Sequence, residues 1–231
     1  VHPTDWTPSN YWRVMGVRPS GTSDYDLELA NHSLFEDPGL RNVLRTSLYA
    51  SQTPDFVVVD GNQWPASSPE HYRVLRFSGS DGYDVSFSNL GLGASNSTST
   101  VTLGPISMSG FEVAKAVDIW VPALSHRRVR VVPVSGSANL GLRGFKSDPG
   151  SSASWAQARN QAVIVRNRTS LGTATERGGF FNATGSGDWL GLIVEKFDAG
   201  TVTFSVVVLP PSLFSDDFES GDTAEWSGAV P

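Results

Sequence analysis

Residues 13–29 read RVMGVRPSGTSDYDLEL, two alternating runs on either side of a Pro-Ser-Gly turn. In the second run Tyr25, Leu27 and Leu29 alternate with Asp24, Asp26 and Glu28, and Asn31-His32-Ser33 then breaks the pattern. A period of two is that of a strand with one face on a core and the other in water. Gly, Pro, Ser and Asn supply the turns between such strands because each relieves or pre-sets a backbone conformation that a strand does not use.

The same pattern covers the chain. YWRVMGV, DFVVVD, HYRVLRF and YDVSFSNL in the first half, and VAKAVDIWV, RRVRVVPV, NLGLRGF, QAVIVRN, GGFFNAT, WLGLIVEKF and TVTFSVVVL in the second, read as short antiparallel strands. Only SWAQARNQA, residues 154–162, has the character of a short helix.

The halves also match each other. Laid over residues 128–144, RVRVVPVSGSANLGLRG, the opening stretch aligns Arg13, Val14, Val17, Ser20, Gly21 and Leu27 with Arg128, Val129, Val132, Ser135, Gly136 and Leu142 at one offset, where chance gives about one identity. YRVLRF at 72–77 meets LIVEKF at 192–197. The expected architecture is therefore all-β: two tandem antiparallel β-sandwich, jelly-roll-like domains at 11–100 and 101–210, an N-terminal arm at 1–10 and an extended C-terminal tail at 211–231. In the second copy Asp24, Asp26 and Glu28 become Asn139, Gly141 and Arg143 while the apolar register is largely kept, so the three carboxylates read as the wet face of a strand.

Composition excludes several classes of function. Net charge is −6, which leaves no global basic field for a phosphate backbone, and no apolar run approaches the length of a membrane-spanning helix. Cysteine is absent, so disulfides and thiolate chemistry are absent with it. The Ser/Thr/Gly-rich composition, together with a first residue Val1 in place of Met, leads to the expectation of an exported protein that has lost a leader peptide.

The order YW.V..V.P.....DYDL.L, then DFVV.D, then YRVLRFSG...Y.VSF resembles the bacterial pre-peptidase C-terminal domain, a small β-sandwich often found in tandem beside secreted peptidases. FEVAKAVDIWVPAL through TFSVVVLP resembles the same family more loosely. The resemblance implies an accessory, non-catalytic role in secretion or in binding to a substrate or surface, with calcium bound in some members. Residues 213–231, LFSDDFESGDTAEWSGAVP, resemble a terminal pattern, D-x-F-E-S-G-D-x-x-x-W-S, of exported bacterial proteins.

Catalytic constellations are missing. There is no G-x-S-x-G elbow and no H-E-x-x-H, and His2, His32, His71 and His126 stand singly. The chain is read as a non-enzyme; a hydrolase would need a deep cleft with paired acids of perturbed pKa. No cofactor is expected except calcium, for which Asp81 and Asp84 in SGSDGYD, and Asp216, Asp217, Glu219 and Asp222 in the tail, are the candidate ligands. Asn31, Asn96, Asn167 and Asn182 head glycosylation sequons. Trp12, Trp120 and Trp189 fall in strand patterns and belong to cores, Trp155 fits neither class, and Trp6, Trp64, Phe218 and Trp226 are candidate anchors for a partner or a glycan.

These readings converge on an extracellular structural protein that self-associates through a terminal arm into a surface filament or layer, a homo-oligomer or polymer without nucleic acid or membrane span. The alternative is a secreted carbohydrate- or surface-binding module.

Overall fold

The computed structural model describes residues 11–30, 43–49, 53–61, 71–146, 156–166 and 175–212, and the fold is an all-β sandwich. The first strands are β1 (Arg13–Pro19), β2 (Asp24–Ala30), β3 (Val43–Ser47), β4 (Asp55–Val59), β5 (His71–Ser78) and β6 (Tyr83–Ser88). They are followed by β7 (Gly93–Ala94), β8 (Val101–Met108), β9 (Ala114–Val121), β10 (Ser125–Gly136) and β11 (Leu140–Phe145). The last are β12 (Ala156–Ala158), β13 (Ile164–Arg166), β14 (Glu176–Asn182), β15 (Asp188–Lys196) and β16 (Val202–Val208).

Four sheets result, numbered in stacking order: sheet 1 is β3-β2-β5, sheet 2 is β12-β4-β1-β6, sheet 3 is β13-β11-β15-β9-β7 and sheet 4 is β14-β10-β16-β8. Three cores separate them. Met15, Val17, Val57 and Val59 of sheet 2 meet Tyr25, Leu27, Leu29 and Tyr72 of sheet 1. The opposite face of sheet 2, with Val14, Phe56 and Val58, meets Ala114, Ala116, Phe145 and Ile193 of sheet 3, and Trp12 lies among them. The other face of sheet 3 packs on sheet 4 through residues such as Val117, Ile119, Leu142, Leu192, Val129, Phe180 and Phe204. Sheets 2 and 3 are thus covered on both faces, which explains why β1 and β4 are buried at every position instead of alternating.

The pairing scheme repeats. β1 lies between β4 and β6 as β10 lies between β14 and β16. Likewise β2 lies between β3 and β5 as β11 lies between β13 and β15. The residue match between β1 and β10 is displaced by one. A bulge between Pro133 and Ser135 shifts the register, so Val129 and Val131, facing the core of sheets 3 and 4, are the counterparts of Met15 and Val17. Val14, which aligns with Val129 in sequence, faces the opposite way into the sheet 2–sheet 3 core. One inserted residue inverts the faces of everything ahead of it, because side chains alternate with period two.

The expected helix at 154–162 gives way to β12 and a single 3-10 turn, Arg159–Gln161. Pairing of Ala156–Ala158 with β4 takes up the backbone that a helix would have used, and β12 thereby crosses into the sheet of the first strands. Trp12 is a core residue as expected, whereas Trp120 and Trp189 are half-buried and meet edge to face at 5.3 Å. Trp155 lies outside the described residues.

Sheets 2 and 3 approach closely because small residues face the seam. A Cβ on Gly191 would come within 2.5 Å of the Trp12 ring, and one on Gly16 within 2.8 Å of Val113. Gly191→Ala should therefore lower stability by roughly 1–3 kcal/mol, the cost of overpacking a filled core, read as a fall in the urea midpoint with an unchanged slope.

Candidate functional site

The three carboxylates of β2 do not share one environment. Glu28 accepts from Arg73 at 3.0 Å through Nε and 2.6 Å through Nη2, an ion pair across sheet 1. Asp26 is only 9% exposed, contrary to a place on the wet face of a strand. β3 meets β2 only as far as Leu27–Ser47, and beside Asp26 it is Asp55 of β4, in sheet 2, that the carboxylate approaches. One carboxylate oxygen each from Asp24, Asp26 and Asp55 come together there, all within 4.8 Å of one another.

Asp55, fully buried at the start of β4, accepts from Ser47 Oγ at 2.6 Å and from the Tyr49 N–H at 3.3 Å. Burial pushes its pKa up to about 7 against those two bonds; Asp26 adds to the rise and Arg159 opposes it. Asp26 is raised by burial, then by Asp24 and Glu28, and no donor among the described residues reaches it.

A second charged group lies on the seam between sheets 2 and 3. Glu195 of β15, 0% exposed, accepts from Arg143 Nε of β11 at 2.7 Å and from Arg159 Nε at 2.7 Å, with both arginines buried. The Arg159 guanidinium also lies over the Tyr49 ring at 4.3 Å. Asp118 of β9, on the same seam, accepts from the Trp12 N–H at 3.0 Å. Burial lifts its pKa to about 7 against that bond, and Asp60 adds to the rise.

The sites expected from the sequence fare differently. Asp81 accepts from Ser23 N and Oγ, both at 3.1 Å, and Asp84 pairs with Arg18 at 2.5 Å. The two carboxylates thus serve separate contacts, Asp81 with Ser23 and Asp84 with Arg18. Asn182 is buried, its Nδ2 donating to Val121 O at 3.1 Å and Ser186 O at 2.8 Å, so the amide a glycan would need is engaged within the fold. Asn96 is exposed between β7 and β8. Asn31, Asn167, Trp6, Trp64, Asp216, Asp217, Phe218, Glu219, Asp222 and Trp226 lie outside the described residues. Among the described residues no helix is long and apolar enough to cross a membrane.

Asp55 and Arg159 escaped the sequence reading. Asp55 opens the run DFVVVD and Arg159 sits in the stretch read as a helix, and neither position carries a signal of what lies across from it in another sheet.

The buried charges make stability sensitive to substitution and to pH. Glu195→Gln should cost about 3–5 kcal/mol, since it leaves two guanidinium groups in the seam without their anion. Asp118, with a folded pKa raised above its unfolded value, contributes stability that is fully present below about pH 4 and is lost as pH rises through about 7. Asp118→Asn should flatten that decline in thermal melts taken between pH 4 and 8.

No family model matches the chain, and no curated protein matches it. Among solved structures, the periplasmic inhibitor of g-type lysozyme PliG from Aeromonas hydrophila is similar at 18% identity and a TM-score of 0.32, covering 52% of this chain and 95% of that one. The infectious bursal disease virus T13 particle protein is similar at 16% identity and a TM-score of 0.30, covering 87% of this chain and 58% of that one. The VP2 subviral particle of the same virus stands at 11% identity and a TM-score of 0.23, covering 87% and 60%. Resemblance at this distance assigns no activity and no partner.

Proposed function

We propose that the chain is a non-enzymatic structural protein of the cell exterior whose copies associate through the C-terminal segment 213–231. The observation that carries this reading is a basic face on sheet 4. On its outer side Arg130 of β10 stands directly opposite Arg177 of β14, and both are exposed. Like charges opposite one another on a sheet are destabilising unless an anion joins them.

Further along the same two strands, His126 stacks on Phe181 at 4.4 Å, with Phe181 51% exposed. Ser212 exchanges backbone hydrogen bonds with His126, so the chain leaves the sandwich at this face. The segment beyond Ser212 is acidic and aromatic: residues 213–231 hold Asp216, Asp217, Glu219, Asp222 and Glu225 with Phe218 and Trp226, and no Lys or Arg. Such a segment complements an arginine face with exposed aromatic rings. Seated on the next copy, it makes a heterologous contact, which propagates unless it closes into a ring.

The same geometry supports the non-enzymatic reading. The two acids held near pKa 7, Asp55 and Asp118, are both buried and bonded to backbone N–H groups, and neither lies beside a histidine among the described residues. The alternative of a glycan-binding monomer rests on Trp64 and Trp226.

Sedimentation and negative-stain microscopy across a dilution series test the proposal. The full chain should form fibres or sheets that loosen as salt screens the contact. A chain ending at Ser212, and the variant Arg130→Glu/Arg177→Glu, should stay as single particles with an unchanged far-UV spectrum. Single particles from the full chain at every concentration would overturn the reading. Saturable glycan binding by those particles, weakened on replacing Trp64 or Trp226, would establish the alternative.

A further inference from the structure

We infer that Asp24, Asp26 and Asp55 hold a calcium ion. The inference is independent of self-association. Three carboxylate oxygens within 4.8 Å of one another can all touch one cation at about 2.3–2.6 Å, the calcium–oxygen distance. An all-oxygen, all-anionic ligand set without His or Cys favours a hard cation over zinc or another thiophilic metal.

Clustered acids alone are common on protein surfaces; the burial of Asp26 sets this group apart. It is more than nine-tenths buried, it reaches the other two carboxylates, and it receives no hydrogen bond from any described residue. A carboxylate with so little of its surface left in water, and without a donor or a counter-ion, is costly, and two further carboxylates beside it raise the cost. The positive group acting on the cluster, Arg159, is already engaged with Glu195 at 2.7 Å.

The ligands are otherwise ready. Each oxygen of Asp55 accepts one hydrogen bond, from Ser47 or Tyr49, and keeps a second lone pair for a metal. Half-buried Asp24 opens the site towards solvent, from which water would complete the six to eight ligands calcium takes. A bound ion would tie β2 of sheet 1 to β4 of sheet 2 at the point where β3 stops pairing with β2.

The test uses the full chain freed of metal with EDTA, followed by calorimetric titration and thermal melts with calcium chloride and, separately, magnesium chloride. Expected are one calcium bound per chain with a Kd on the order of 10⁻⁵–10⁻³ M and a rise in Tm of roughly 5–10 °C at about 100-fold excess over Kd. Magnesium should bind more weakly. Asp26→Asn and, separately, Asp24→Asn should fold, since each removes a like charge, and should lose at least tenfold in affinity together with most of the Tm shift. Glu28→Gln, outside the trio, and Asp216→Asn/Asp217→Asn in the tail should keep both. Absence of calcium binding to the metal-free chain would overturn the inference, as would binding that survives Asp24→Asn and Asp26→Asn or is lost with the tail acids.

Discussion

The face-to-face joint of sheets 2 and 3 governs this fold. A sandwich ordinarily needs one apolar face per sheet, but here the two inner sheets need two. Their strands must be apolar or small at nearly every position, and any polar group they do carry must find its partner inside the seam. Trp12 makes the requirement concrete: its ring lies against Gly191, its N–H is taken by Asp118, and it packs near Phe145 with ring centroids 6.4 Å apart. A side chain at 191 or a missing carboxylate at 118 disturbs both sheets at once.

The joint brings together unlike surfaces. By the repeated pairing scheme, sheet 2 corresponds to sheet 4 and sheet 3 to sheet 1, so the seam joins the β1-type face of one strand set to the β2-type face of the other. Faces of the same two types remain uncovered at the ends of the stack, but their chemistry has changed. Where sheet 2 presents Val14, Phe56 and Val58 to the seam, sheet 4 presents arginines and Phe181 outward. That exchange of apolar for charged residues stops the stack from extending by the same apolar contact, as management of exposed β surface requires. It leaves a face suited to an acidic segment.

Strand identity was legible in the sequence because alternation, turn residues and the internal match all report local geometry. The correspondence of β1 to β10 was visible as well, though a one-residue bulge at Pro133–Ser135 hid which side chains match. The burial of Asp26 was not legible. Its alternation with Tyr25 and Leu27 is correctly a strand pattern, and what lies beside it depends on where β3 ends and β4 begins. The same limit hid Arg159 and Glu195, which lie in a 3-10 turn and in β15 and meet where β12 pairs with β4. Local pattern specifies faces; it does not say which face meets which.

Charge balance then separates the two buried groups. Arg143, Arg159 and Glu195 carry two positive charges against one negative, and their geometry is closed, with each carboxylate oxygen receiving one guanidinium N–H. Arg159 also acts on Asp55, which it holds back from a still higher pKa. That accounts for one of the three clustered carboxylates. Asp24 and Asp26 are left with neither a donor nor a cation among the described residues, and Asp26 keeps only a small part of its surface in water. A proton on one carboxyl of such a cluster relieves part of the repulsion and can be shared with a neighbouring carboxylate. A divalent cation neutralises two charges at once, uses oxygens of all three carboxylates as ligands, and so fastens β2 of sheet 1 to β4 of sheet 2 with every acid ionised.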